Sequence, residues 1–94
     1  MTENARLHAL ASGRVQGVNF RYYTTREASR LGVTGWVANR HDGKVECVAE
    51  GPRSRLEEML DFFHEGSPSA HVTNVEASWE SATGEFEDFK VRYL

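Results

Sequence analysis

The stretch from Gly13 to Arg21, which reads GRVQGVNFR, constrains the fold more than any other part of the sequence. It follows an alternating apolar segment, residues 6–12, that predicts a β-strand, and it precedes residues 20–31, whose apolar positions have helical spacing. A strand, a loop with two glycines and a helix N-terminus together form a favourable site for an anion. We therefore expect an anion to bind here, with Arg21 adding a planar, permanently charged donor group in the first helical turn.

The charge distribution supports an anion site in this part of the chain. Residues 4–26 contain four arginines and no acidic residue, whereas the whole chain has a net charge of −3. The four are Arg6, Arg14, Arg21 and Arg26. This segment therefore carries +4 and the rest of the chain −7. A local positive region in an acidic protein favours a site for a small anion over a surface for a polyanion.

The loop lacks the groups that several phosphate-handling sites require. The Gly-Lys-Ser/Thr ending of a Walker loop and the Gly-x-Gly-x-x-Gly of a dinucleotide site are both absent. No Ser, Thr, Cys, Asp or His lies between Gly13 and Arg21, so the loop contains no nucleophile. We predict that it holds a phosphate group through backbone N–H donors. These are the amides of Val15, Gln16, Gly17, Val18, Asn19 and Phe20.

The first half of the chain predicts a strand, a helix and a hairpin. Leu7, Ala9 and Ala11 share one face of the first strand, and Leu10 on the other face indicates a central strand. Gly32 is placed to end the helix. The segments 33–40 and 44–50, joined by the turn residues His-Asp-Gly, then predict a β-hairpin.

The second half predicts another helix and two strands. We expect Gly51-Pro52 to open the helix, with a capping box from Ser54 to Glu57, and Gly66-Ser67-Pro68 to end it. Alternation then predicts strands around residues 75–79 and 89–93. The order β-α-β-β-α-β plus a short C-terminal strand predicts an α+β, ferredoxin-like α/β sandwich, with two helices on one face of a mainly antiparallel sheet. The pairing of the fifth strand is left open, and residues 1–94 are expected to form a single domain.

Two motifs give the chain a specific resemblance to a known family. Gly-x-Val-Gln-Gly-Val-x-Phe-Arg, at Gly13 to Arg21, and Gly-Trp-Val-x-Asn-x-x-Asp-Gly, at Gly35 to Gly43, are similar to the two signatures of the acylphosphatase family. The resemblance covers essentially all 94 residues. It implies the same fold and the hydrolysis of acyl phosphates, which are mixed carboxylic–phosphoric anhydrides, to a carboxylate and inorganic phosphate. It also implies that Arg21 binds phosphate and that Asn39 positions the attacking water.

The loop contains no nucleophilic or acidic side chain, and this absence is consistent with the reaction. An alkoxide leaving group requires a general acid, whereas a carboxylate is already a weak base and requires none. We therefore predict a hydrolase in which water attacks directly, without a metal, a cofactor or a covalent intermediate. Because no protein base is evident, a phosphate oxygen of the substrate is expected to accept the proton of the water, as the resemblance also implies. The four histidines and Cys47 show no metal-ligand spacing, so no metal site is predicted.

Two other functions remain open at this stage. The loop could hold an anion in a regulatory module that catalyses nothing, and Asn39 could be an ordinary turn residue. The same fold also serves single-strand RNA binders, but the isoelectric point of about 5.8 and the lack of paired aromatic residues on a basic sheet argue against nucleic acid.

No apolar run approaches 18 residues, and one cysteine fits a reducing compartment. We expect a cytoplasmic monomer that contacts no membrane and whose partners are the acyl phosphate substrate and the phosphate product.

Overall fold

The computed structural model describes residues 3–94, which form five strands and two helices. The elements in chain order are β1 (Asn4–Arg14), α1 (Phe20–Leu31), β2 (Thr34–Asn39), β3 (Val45–Pro52), α2 (Arg53–Glu65), β4 (His71–Ser81) and β5 (Phe89–Tyr93). The strands form one sheet in the order β4-β1-β3-β2-β5. Three neighbouring pairs are antiparallel, while β5 pairs in parallel with β2. The predicted ferredoxin-like α+β fold is confirmed, and the pairing of the fifth strand is now defined.

The core lies between one face of the sheet and the two helices. Leu7, Ala9 and Ala11 are buried, as the alternation predicts, because they lie on the face of β1 that packs against the helical layer. From α2, Leu56 and Phe63 are also buried. Truncation of such a core leucine to alanine typically costs about 2–5 kcal/mol, because it leaves a cavity as well as losing apolar contact.

Helix α1 begins and ends at the predicted residues. Phe20, Thr24, Ala28 and Leu31 form its buried stripe, so the helical spacing in the sequence reports burial directly. Gly32 caps the C-terminus in the left-handed conformation, with φ of 70°, and its N–H lies against the carbonyl groups of the last turn. No helix among residues 3–94 is long and apolar enough to cross a membrane.

The predicted start of the second helix is wrong. Gly51 and Pro52 belong to β3, where Gly51 pairs with Ala5 of β1, and α2 begins only at Arg53. Pro52 is the N-cap residue, and no side chain caps the helix. The capping box does not form because Ser54 lies inside the first turn and not at the N-cap position that a capping side chain requires.

The end of β1 is also different from the prediction. Gly13 and Arg14, expected in the loop, continue the strand beside β4, and the register shifts between Ser12 and Gly13. Gly13 has a φ of 117°, and a Cβ there would overlap the backbone of β4 at the carbonyl oxygen of His71. Glycine is therefore required at this position by a strand bulge, and the loop proper begins at Val15.

Candidate active site

The loop between β1 and α1 turns sharply twice in the left-handed region. Gly17 has a φ of 72° and Asn19 a φ of 63°. Asn19 is the N-cap residue of α1, yet its side chain makes no capping hydrogen bond, and the first turn contains no acidic residue. Asparagine tolerates this conformation far better than a β-branched residue does. The helix N-terminus therefore lacks a side-chain acceptor of its own, which leaves its N–H groups for a ligand.

Buried side chains hold this loop in place. Val15 and Val18 pack into the core, and Phe20 meets the ring of Phe63 edge-on at a centroid distance of 5.1 Å. From the connection between α2 and β4, the Ser67 hydroxyl donates a hydrogen bond of 2.5 Å to the carbonyl oxygen of Val18. These contacts on its buried side anchor the loop to the core and to the connection between α2 and β4.

The topology brings the two predicted functional residues together. Strands β1 and β2 both run antiparallel to β3, so their C-terminal ends lie at the same edge of the sheet. The loop follows β1 at this edge, and Asn39 is the last residue of β2. Arg21 and Asn39 consequently line one cavity of about 420 Å³.

Four of the six predicted cradle residues border the same cavity. They are Val15, Gly17, Asn19 and Phe20. Val18 is buried beneath the loop, and Gln16 borders an adjoining cavity of about 530 Å³ that Arg21 and Asn39 also line. Four further residues, Tyr22, Thr25, Val91 and Tyr93, complete the walls of the first cavity, and the sequence pattern gave no functional signal for them.

Asn39 has an unusual hydrogen-bonding state. Its Oδ1 atom is buried and accepts no hydrogen bond from any residue in the range 3–94. Buried polar atoms are nearly always satisfied, so an orphan of this kind is expected at a position that binds a ligand or water. Asn39 therefore lines the cavity with an amide whose oxygen has no hydrogen-bond partner among residues 3–94.

Arg21 differs from Arg6, another arginine of the acid-free segment. Within the described part of the chain it forms no ion pair, and its guanidinium carbon lies 5.7 Å from the centre of the Tyr93 ring. The sequence grouped it with Arg6, but Arg6 lies at the opposite end of β1 and pairs with Glu50 at 3.0 Å and Glu85 at 2.6 Å. The predicted positive region is therefore too large, because the nearby carboxylates neutralise Arg6.

The other chemically reactive side chains lie elsewhere. Cys47 is fully buried, and burial raises the pKa of its thiol well above the ordinary value. The imidazole Nε2 of His8 lies 2.6 Å from the Glu46 carboxylate on the sheet. Among residues 3–94, no three histidine, cysteine or acidic side chains converge as a group that could hold a metal ion.

Known proteins match this chain over nearly its whole length. The family model described as acylphosphatase matches residues 7–91. The chain is 48% identical over 89 residues to the acylphosphatase of Pelotomaculum thermopropionicum, and the alignment covers 95% of this chain and 97% of that relative. The crystal structure of acylphosphatase from Bacillus subtilis superposes with a TM-score of 0.91 at 36% identity, covering 95% of this chain and 99% of that one. An acylphosphatase from Coxiella burnetii superposes with a TM-score of 0.89 at 39% identity, covering 96% and 94%. The chain therefore belongs to the acylphosphatase family.

Proposed function

We propose that this acylphosphatase hydrolyses acyl phosphates by direct attack of water on phosphorus, with Arg21 holding the phosphoryl group and Asn39 orienting the water. One observation carries the proposal. An arginine that forms no ion pair within residues 3–94 and an amide oxygen without a hydrogen-bond donor there line a single cavity beside a helix N-terminus.

The phosphoryl group is held by charge and by backbone donors. The Arg21 guanidinium offers a forked pair of N–H groups to two phosphate oxygens, and the backbone amides of residues 15–20 supply the remaining donors. Phosphoryl transfer proceeds through a loose transition state with charge spread over the equatorial oxygens, so fixed donors stabilise it without any covalent chemistry from the protein.

Asn39 acts on the nucleophile. Its buried Oδ1 accepts a hydrogen bond from the water, which aims a lone pair of the water oxygen at phosphorus. Because the amide is neutral, it places no negative charge beside the phosphoryl group. A new bond forms between the water oxygen and phosphorus while the bond from phosphorus to the acyl oxygen breaks. The carboxylate leaves with that electron pair, and a phosphate oxygen takes the proton of the water.

The leaving group provides the test of this function. Benzoyl phosphate should be hydrolysed with excess EDTA present, whereas an unactivated alkyl phosphate such as glycerol phosphate should be hydrolysed far more slowly. The reason is that no general acid is assigned to protonate an alkoxide. Comparable rates on the two substrates, or a loss in EDTA that Mg²⁺ or Zn²⁺ restores, would contradict the mechanism. Phosphate binding without turnover of benzoyl phosphate would indicate a regulatory anion-binding module.

We also propose that the protein is a cytoplasmic monomer and binds no nucleic acid. The net charge of −3 supports the last point, since nucleic-acid binding depends on a basic surface. The single cysteine is consistent with a reducing compartment. Light scattering during size-exclusion chromatography, with and without added RNA, tests the monomeric state and the absence of RNA binding.

A further inference from the structure

Gln16 contributes to two parts of the molecule at once. Its backbone belongs to the loop after β1, but its side chain extends to the hairpin between β2 and β3. There the Nε2 group donates hydrogen bonds to the carbonyl oxygens of Arg40 at 2.8 Å and Lys44 at 3.0 Å. An amide NH₂ has two donors, and both are used on carbonyl acceptors. The reversed orientation would place Oε1 against two carbonyl oxygens, so the side chain is fixed in this one.

The two carbonyl groups belong to the residues that close the hairpin. The Arg40 N–H donates to the Lys44 carbonyl at 2.8 Å, and the Gly43 N–H donates to the Arg40 carbonyl at 3.2 Å. Asn39 directly precedes Arg40 and is the last residue of β2. Gln16 therefore holds the backbone one residue away from the amide that is assigned to the water.

We infer that Gln16 is a positioning residue that sets the distance between the phosphate-binding loop and the Asn39 amide. This inference rests on the proposed function. The loop follows β1 and Asn39 is the last residue of β2, and these two strands are not neighbours, since β3 lies between them. The Gln16 side chain links the two directly, and it lines the second cavity together with Arg21 and Asn39. In-line attack tolerates little displacement, and a shift of about 1 Å can cost on the order of 100-fold in rate.

A double-mutant cycle separates this role from simple support of the fold. Gln16→Met keeps the length of the side chain but removes both donors. In the wild-type background it should lower kcat on benzoyl phosphate by roughly 10- to 100-fold, while the inhibition constant of inorganic phosphate changes by less than about 2-fold. In the Asn39→Ala background the same substitution should change kcat by less than about 2-fold, because there is no longer an amide to position.

Ser67→Ala is the matched control. It removes one side-chain hydrogen bond to the same loop from the opposite side, on the Val18 carbonyl. Its effect on kcat should be the same, within about 2-fold, with and without Asn39→Ala, because within residues 3–94 the Ser67 side chain forms no hydrogen bond with the hairpin. If thermal unfolding shows that Gln16→Met does not fold, Gln16→Asn takes its place in the cycle. Asparagine is one methylene too short to reach both carbonyl groups.

The outcomes distinguish this inference from the function beneath it. A full 10- to 100-fold loss that persists in the Asn39→Ala background, or an equal loss of phosphate affinity, would overturn the role of Gln16. If Asn39→Ala alone retains wild-type kcat, Asn39 does not orient the attacking water, and the positioning role of Gln16 is then wrong as well. Coupling between Gln16 and Asn39 without coupling between Ser67 and Asn39 supports the inference.

Discussion

The two ends of the sheet use arginine in opposite ways. Arg6, near the start of β1, contacts the carboxylates of Glu50 and Glu85 and is mostly shielded from solvent. Arg21, beyond the other end of β1, forms no ion pair within residues 3–94 and faces a cavity. Both belong to the same acid-free stretch of sequence. The comparison teaches that an arginine is available to a ligand only where the fold supplies no carboxylate to neutralise it.

Glu50 explains why the end of the sheet around Arg6 has a structural role. Its carboxylate accepts hydrogen bonds from Arg6 and from the backbone N–H groups of Thr83 and Gly84, and only 5% of it is exposed. Burial alone raises the pKa of this carboxyl, but these donors outweigh burial and the pKa is lowered. This network fixes the connection between β4 and β5 to the sheet, and within it the carboxylates of Glu50 and Glu85 both accept a hydrogen bond from Arg6.

The largest expected effect is at Arg21. Arg21→Ala should lower turnover of benzoyl phosphate by at least about 10³-fold and also weaken inhibition by inorganic phosphate, because the guanidinium binds phosphate in both the ground and transition states. Arg21→Lys should restore little of the activity, since an ammonium cannot reproduce the planar fork. Steady-state kinetics with phosphate as a competitive inhibitor measures both quantities. Turnover near the wild-type level in either variant would remove Arg21 from the site.

Arg6→Ala should lower the stability of the protein and leave its activity almost unchanged, in contrast to Arg21→Ala. The free energy of unfolding should fall by about 1–3 kcal/mol, because the buried Glu50 carboxylate loses a charged donor, while kcat stays within about 2-fold of wild type. Urea denaturation followed by tryptophan fluorescence measures the free energy of unfolding, and the benzoyl phosphate assay measures kcat. A large loss of activity in folded Arg6→Ala would show that the two ends of the sheet are coupled.

A smaller effect is expected in the pH dependence of stability. The pKa of Glu50 is lowered on folding, so its contribution is fully present above the ordinary value of 4.5 and is lost as the pH falls through the lower folded value. Glu50→Gln cannot titrate, so its free energy of unfolding should fall less than that of wild type between pH 6 and roughly pH 3. Urea denaturation at a series of pH values provides the comparison. Parallel curves for the two proteins would show that Glu50 has the same pKa in both states.

The core supplies the smallest expected effect on activity. Cys47 belongs to neither end of the sheet, and its buried thiol has a raised pKa, so it is no nucleophile. Cys47→Ser should leave kcat within about 2-fold of wild type and lower stability by about 1–3 kcal/mol if the hydroxyl finds no partner. A folded variant without activity would instead require a thiol mechanism.

Local patterns predicted the features that depend on burial along a single element. Helix α1 is confirmed from Phe20 to Leu31 because its apolar spacing is the packed face itself. The capping box at Ser54 was wrong because the N-cap residue is Pro52, so Ser54 lies two residues beyond the capping position. The short β5 has too few residues for the sequence to specify its neighbour, and its pairing with β2 depends on the whole sheet.

The parts of the site that the sequence did not reveal are long-range contacts. The partners of Arg6 lie between 44 and 79 residues away along the chain, so a local count of charges could not find them. Only the backbone amide of Gln16 was predicted to have a role, yet the Gln16 side chain reaches carbonyl groups 24 and 28 residues ahead. Such contacts exist only after the sheet has brought the ends of β1 and β2 together.

The kinetics of Asn39→Ala test the central claim most directly. If Asn39 orients the attacking water and Arg21 holds the phosphoryl group, kcat on benzoyl phosphate should fall by roughly 10²- to 10⁴-fold. The inhibition constant of inorganic phosphate should change by less than about 2-fold, in contrast to Arg21→Ala. If Asn39→Ala loses phosphate affinity as severely as Arg21→Ala, Asn39 belongs to the phosphate-binding cradle, and the division of roles proposed for these two residues is wrong.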